Sequence, residues 1–119
     1  MENVDLKDRT KQIAVRIVKF TDCLPQNNTK FSVVTKQLIR CSTSVAANYR
    51  AACRGKSKAD FIAKLGIVEE EADETLFWLE LIVELDKSYR ETIVPLYKEM
   101  NEIVAIVVAS KKTARKNKE

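Results

Sequence analysis

The side chains best equipped for chemistry in this sequence are charged, and they are sorted along the chain. Between Lys30 and Lys64 lie eight basic residues and one acid, Asp60. Between Leu65 and Asp86 lie eight acids and no base. Arg50 and Arg54 stand four apart, on one side of a helix, and are followed closely by Lys56 and Lys58. Tyr49 offers an adjacent ring for stacking. Guanidinium and ammonium groups gathered in this way hold phosphates, the more so beside the positive N-terminus of a following helix. A second basic group, Lys111, Lys112, Arg115, Lys116 and Lys118 against Glu119, carries the whole net charge of +4. The same residues would also serve as an ordinary solvated surface, or as a face for the acidic stretch of another copy.

The acids Glu69, Glu70, Glu71, Asp73 and Glu74 invite a metal-binding or acid–base reading, and Glu70 with Glu74 and Glu80 with Glu84 share helix faces. The sequence has no histidine. That removes Ser-His-Asp and Cys-His catalysis, the carboxylate–histidine di-iron sites of bundles and most zinc sites. No phosphate loop or dinucleotide fingerprint is present. No catalytic residue, metal ligand or cofactor site is assigned, and the expectation is a protein that is not an enzyme. The cysteines Cys23, Cys41 and Cys53 are odd in number and form no Cys-x-x-Cys pair. Buried, reduced thiols are expected, and with them a cytoplasmic location. The longest apolar run, Ile103 to Ala109, is far shorter than a membrane span requires.

These residues must be placed by helices. Two glycines and two prolines leave little material for a turn-rich β fold. Apolar residues recur at three- and four-residue steps in four segments. Leu6, Thr10, Ile13, Ile17, Phe20 and Leu24 form the first stripe, which Pro25 stops. Val34, Leu38, Cys41, Val45, Asn48 and Ala52 form the second, with Gly55 expected as a left-handed C-cap. Ser57 with Asp60 reads as a variant capping box before Phe61, Leu65, Val68, Ala72, Leu76, Leu79 and Val83. Leu96, Met100, Ile103 and Val107 form the fourth stripe. Its helix is expected to begin near Val94, so that Pro95 falls in the first turn. Short connections make neighbours antiparallel. The fold class expected is all-α, an antiparallel up-down-up-down four-helix bundle over residues 1–110, followed by a basic C-terminal tail at 111–119.

Two features go beyond that core. Ser44 and Asn48 put polar groups on the second stripe, where they are expected to hydrogen-bond across the core and fix helix register. Phe77 and Trp78, with Leu81 and Ile82, exceed what one buried stripe needs, and the fourth helix has a similar surplus. Surplus apolar surface on a small bundle points to self-association, with Trp78 and Phe77 at the contact.

Ile39 to Tyr49 (Ile-Arg-Cys-Ser-Thr-Ser-Val-Ala-Ala-Asn-Tyr), Arg54 to Leu65 and Glu70 to Leu79 resemble one family, with Ser44, Asn48, Ser57, Phe61 and Leu65 at its spacing. It is the four-helix-bundle proteins encoded in intervening sequences of bacterial 23S ribosomal RNA genes, to which the accessory variability protein of diversity-generating retroelements is related. Many members follow the asparagine with Ile-Ala-Glu-Gly. Here Tyr49-Arg50-Ala51-Ala52 stands instead, so no role of that Glu and Gly carries over. The resemblance implies a ring-shaped homopentamer with basic surfaces. For the retroelement relative it implies binding to nucleic acid and to a reverse transcriptase.

The function expected is that of a non-enzymatic homo-oligomer binding RNA or DNA through phosphates and shape. The residues are Arg50, Arg54, Lys56, Lys58 and Tyr49 at the turn, with Lys111, Lys112, Arg115 and Lys116 near the C-terminus. The alternative is a protein-interaction scaffold, for a reverse transcriptase or another partner protein.

Overall fold

A computed structural model describes residues 5–117, which form four α-helices and no strand. Helix α1 (Leu6–Phe20) starts at Asp5, whose carboxylate accepts the Lys7 backbone N–H. It ends earlier than its apolar stripe. One 3-10 turn (Thr21–Cys23) follows, and Leu24 is extended at φ −86°, ψ 148°. Pro25 imposes that geometry on the residue before it, while Leu24 still reaches the core at 2% exposure.

Helix α2 (Thr29–Cys53) is capped by Asn28, which accepts the Phe31 N–H at 3.3 Å. Helix α3 (Lys58–Leu85) is capped by Ser57, which accepts the Asp60 N–H at 3.1 Å. The Asp60 carboxylate does not return to Ser57. It accepts the Lys64 ammonium instead. Gly55 is not left-handed, since none of the described residues has positive φ. The glycine is favoured by closeness: a Cβ there would lie 3.0 Å from the Ala52 carbonyl oxygen and 3.0 Å from Asp60 Oδ2.

Helix α4 spans Arg90–Lys116 and begins about one turn before the expected Val94. A 3-10 turn, Lys87–Tyr89, precedes it, capped by the Asp86 carboxylate on the Ser88 N–H. Pro95 therefore lies in the second turn, where it removes the bond to the Glu91 carbonyl. Its ring is on the exposed face, so that carbonyl is open to solvent. Starting the helix early buries Ile93 at 2% exposure and carries Tyr89 to the opposite loop. There its ring meets Phe20 and Phe31, each 6.1 Å between centroids, and its hydroxyl donates to the Cys23 carbonyl. These contacts close one end of the bundle.

The helices pack α1 on α2, α2 on α3 and α3 on α4, with a thinner α1–α4 seam closing the circuit, in a body of 52 × 27 × 20 Å. This is the expected four-helix bundle. All six residues of the first stripe are buried, as are Leu65 to Leu79 of the third and Leu96 to Val107 of the fourth. The buried hydroxyls Thr10, Thr21, Ser42 and Thr75 donate to carbonyls three or four residues back in the chain. They need no partner from another helix, so an apolar core accommodates them.

Asn48 behaves the same way. Its amide donates to the carbonyl (2.9 Å) and hydroxyl (2.8 Å) of Ser44. The pair closes along α2 and not across the core, because both residues are only half-buried at the edge of the stripe. Cys41 is buried, but Cys23 and Cys53 are exposed, correcting the expectation for two of the three thiols. Cys23 sits in the turn after α1, and Cys53 is the last residue of α2. Among the described residues no helix is long and apolar enough to cross a membrane.

Candidate nucleic-acid interface

The last two turns of α2, the turn that follows and the first turns of α3 line a concavity of about 620 Å³. Its charged lining is Arg50, Arg54, Lys56, Asp60 and Lys64. Asp60 and Lys64 neutralise one another at 2.8 Å, one helical turn apart. That pairing holds the Asp60 carboxyl below its ordinary 3.8. The side chains of Arg50 and Arg54 have no hydrogen bond or ion pair among the described residues, and the Lys56 side chain is exposed. The concavity is thus left with an excess of positive charge. Ala47 and Ala51 keep its floor open.

The structure redistributes the roles expected at this turn. Lys64 lines the concavity although it was not among the expected site residues, because its place nearly two turns into α3 shows only when the turn folds back. Lys58 is exposed on the first turn of α3 and does not line it. Tyr49 does not line it either. It is half-buried against the core, and burial together with neighbouring Cys53 pushes its hydroxyl up to about 12.

The second basic group continues α4. Lys111, Lys112, Arg115 and Lys116 are all helical, and Lys118 lies outside the described residues. Lys111 is tied to Glu69 of α3 at 2.6 Å. Lys112, Arg115 and Lys116 are exposed. Phe61, in the first turn of α3, shares a shallow depression with Ile106, Ser110 and Thr113 of α4. The α4 C-terminus therefore stands at the same end of the bundle as the concavity. Antiparallel topology alone brings together two groups of cations that are far apart in sequence. Arginines and lysines at the C-termini of α2 and α4 also face the negative ends of those helices.

Part of the acidic run is used inside the chain. Arg40 of α2 donates to Glu71 (3.2 Å) and to Glu74. Glu74 also accepts the Trp78 indole N–H at 3.0 Å, and the Arg40 contact foremost holds its carboxyl below the ordinary 4.5. Arg40 belongs to the basic stretch of the sequence, yet it is committed to α3. No cluster able to hold a metal ion occurs among the described residues. Trp78 is half-buried, whereas Phe77 is 53% exposed with its ring edge-on to Trp78 at 5.0 Å.

Residues 2–109 match the family described as 23S rRNA-intervening sequence protein. The fold is similar to the crystal structure of a protein with unknown function from the S23 ribosomal protein family of Bacteroides thetaiotaomicron VPI-5482. The two are 38% identical with a TM-score of 0.83, over 91% of this chain and 99% of that one. No curated protein matches the chain. With the match running from before α1 into the last turns of α4, the chain belongs to the 23S rRNA-intervening sequence protein family.

Proposed function

We propose that this protein binds RNA or DNA through the phosphate backbone, without reading bases and without catalysing a reaction. The observation that carries the reading is the concavity at the α2–α3 turn. Arg9, Arg40, Lys64 and Lys111 are each held by a carboxylate of the chain, whereas Arg50, Arg54 and Lys56 crowd one open hollow. Unneutralised cations at a concave surface concentrate the local field and attract polyanions. Among the described residues no loop or helix presents the row of amide and guanidinium pairs that groove readout uses, so contact through phosphates and shape fits best. Lys112, Arg115 and Lys116 extend the surface along the same end of the bundle.

The test is a fluorescence titration of an RNA hairpin and of a DNA duplex at two salt concentrations. It compares the full chain, a chain ending at Ser110 and Arg50→Ala/Arg54→Ala/Lys56→Ala, with circular dichroism confirming the helices of each. Salt-sensitive binding weakened by both changes is expected. Absence of binding by the full chain at low salt overturns the reading. The exposed Phe77 favours a second reading, a protein-interaction surface.

A further inference from the structure

Three helix ends stand level where the concavity opens. A Cβ on Gly55, just past α2, would lie 3.4 Å from the backbone nitrogen of Phe61. Phe61 in turn shares its depression with Thr113 and Ala114 of α4. At about 1.5 Å per residue, the first residue of α3 and the last of α4 both project about 3–5 Å beyond that level. The end of the bundle is therefore blunt. Helices α1 and α3 each pack on both α2 and α4, so α2 and α4 stand on a diagonal with α3 to one side. Axes of packed helices are about 8–10 Å apart, which puts α2 and α4 about 11–14 Å apart.

Positive charge at this end falls into two groups. Arg50, Arg54 and Lys56 stand on the α2 side, and Lys112, Arg115 and Lys116 on the α4 side. None of the six has an ion pair among the described residues. Between the groups α3 begins with Ser57, Lys58 and Ala59, all exposed. The fourth corner belongs to the start of α1, where Asp5 and Asp8 outnumber Lys7. A polyanion is thus drawn to the α2–α3–α4 side. The rings nearest this end, Tyr49 and Phe61, are both partly buried against the core.

This arrangement discriminates between nucleic acids. Proteins that hold single strands stack bases on aromatic rings as well as tracking the backbone, and both rings here are committed to the core. A double helix instead presents two rows of phosphates facing one another across a groove, which two cation groups a bundle diagonal apart can meet together. The major groove of B-DNA is about 8.5 Å deep and takes an inserted helix or ribbon, and its minor groove is only about 6 Å wide. A blunt end tipped with Ser57 and Ala59 suits neither. The minor groove of A-form RNA is wide and shallow, and is bound across its phosphates by shape. We propose that this end of the bundle straddles the minor groove of double-stranded RNA, with the α2–α3 concavity on the phosphates of one strand and the last turns of α4 on those of the other. This binding mode rests on the phosphate-binding reading and narrows it to one nucleic acid.

Fluorescence anisotropy with the full chain tests it on three probes. They are an RNA duplex of about 16 base pairs, one of its strands alone in a sequence that cannot fold, and a DNA duplex of the same sequence. At low salt the RNA duplex should bind at least about tenfold tighter than either of the others. Lys112→Ala/Arg115→Ala/Lys116→Ala and Arg50→Ala/Arg54→Ala/Lys56→Ala, with helices confirmed by circular dichroism, should each weaken RNA-duplex binding about tenfold or more. Each should also flatten its salt dependence. Single-strand binding as tight as duplex binding overturns the straddling and leaves the phosphate reading in place. So does DNA-duplex binding as tight as RNA-duplex binding, or an α4 group whose removal changes nothing. No binding of any probe at low salt overturns the phosphate reading together with the straddling.

Discussion

Arg9 holds the thinnest seam of the bundle, and replacing it should show how much that seam contributes. Its Nε and Nη2 donate to the two carboxylate oxygens of Glu99 at 2.9 and 2.8 Å, and Nη2 also meets Glu102. Arg9 is 18% exposed and Glu99 25%, whereas Glu102 is 63% exposed. The Glu99 pair therefore ranks above an exposed ion pair, worth about 0–1 kcal/mol, and below a fully buried one, whose breakage costs about 3–5 kcal/mol. Arg9→Met keeps the apolar stem and should lower stability by about 1.5 kcal/mol at pH 7. For a chain of 119 residues that is about 6 °C in melting temperature. The pH dependence isolates the electrostatic part. The Arg9 guanidinium, its nearest partner, holds the Glu99 carboxyl below its ordinary 4.5. Stability from a depressed carboxyl is fully present above the ordinary value and lost as pH falls through the lowered one. The gap between wild type and Arg9→Met should be full at neutral pH and shrink as pH falls below the ordinary carboxyl value and through the lowered one. Urea denaturation followed by Trp78 fluorescence at several pH values measures it. A gap that persists unchanged in acid would show that packing, not charge, joins α1 to α4. A gap of zero at pH 7 would refute the role of Arg9 altogether.

The other predictions concern the glycines, the thiols and the phosphate-binding cations. Gly66→Ala should raise stability by about 0.5–1 kcal/mol, since nothing lies within 4 Å of the new Cβ and a helix-interior glycine is replaced. Gly55→Ala should lower stability, because its Cβ would press on the Ala52 carbonyl and Asp60. Paired thermal melts decide between these signs. A thiol reagent should label Cys23 and Cys53 in the folded protein and reach Cys41 only on unfolding, since burial both shields that thiol and pushes its pKa up. Simultaneous labelling of all three would contradict the burial of Cys41. In duplex binding, Arg50→Ala/Arg54→Ala/Lys56→Ala should reduce the slope of log affinity against log salt by up to about 2.7, roughly 0.9 for each phosphate that is no longer neutralised. An unchanged slope would place the phosphate-binding surface elsewhere.

Helix identity, the Ser57 cap and most of the core were legible in the residues themselves. Apolar spacing, Ser57 and the scarcity of glycine and proline are local signals, and a helix reports them along one dimension. The start of α4 was less legible, because Pro95 argues locally for a later start. Burial of Ile93 and the reach of Tyr89 to Phe20 and Phe31 decide for an earlier one. Charge segregation was equally plain in the sequence, but the pairing of those charges was not. Arg40 and Lys111 look like members of a free basic surface until α3 lies beside them with Glu71, Glu74 and Glu69. Lys64 enters the concavity and Tyr49 stays out of it for the same reason. Periodicity fixes which face of a helix turns inward. The axial register and rotation of one helix against the next decide which outward charges meet, and these come from side-chain packing across the core that no single segment encodes.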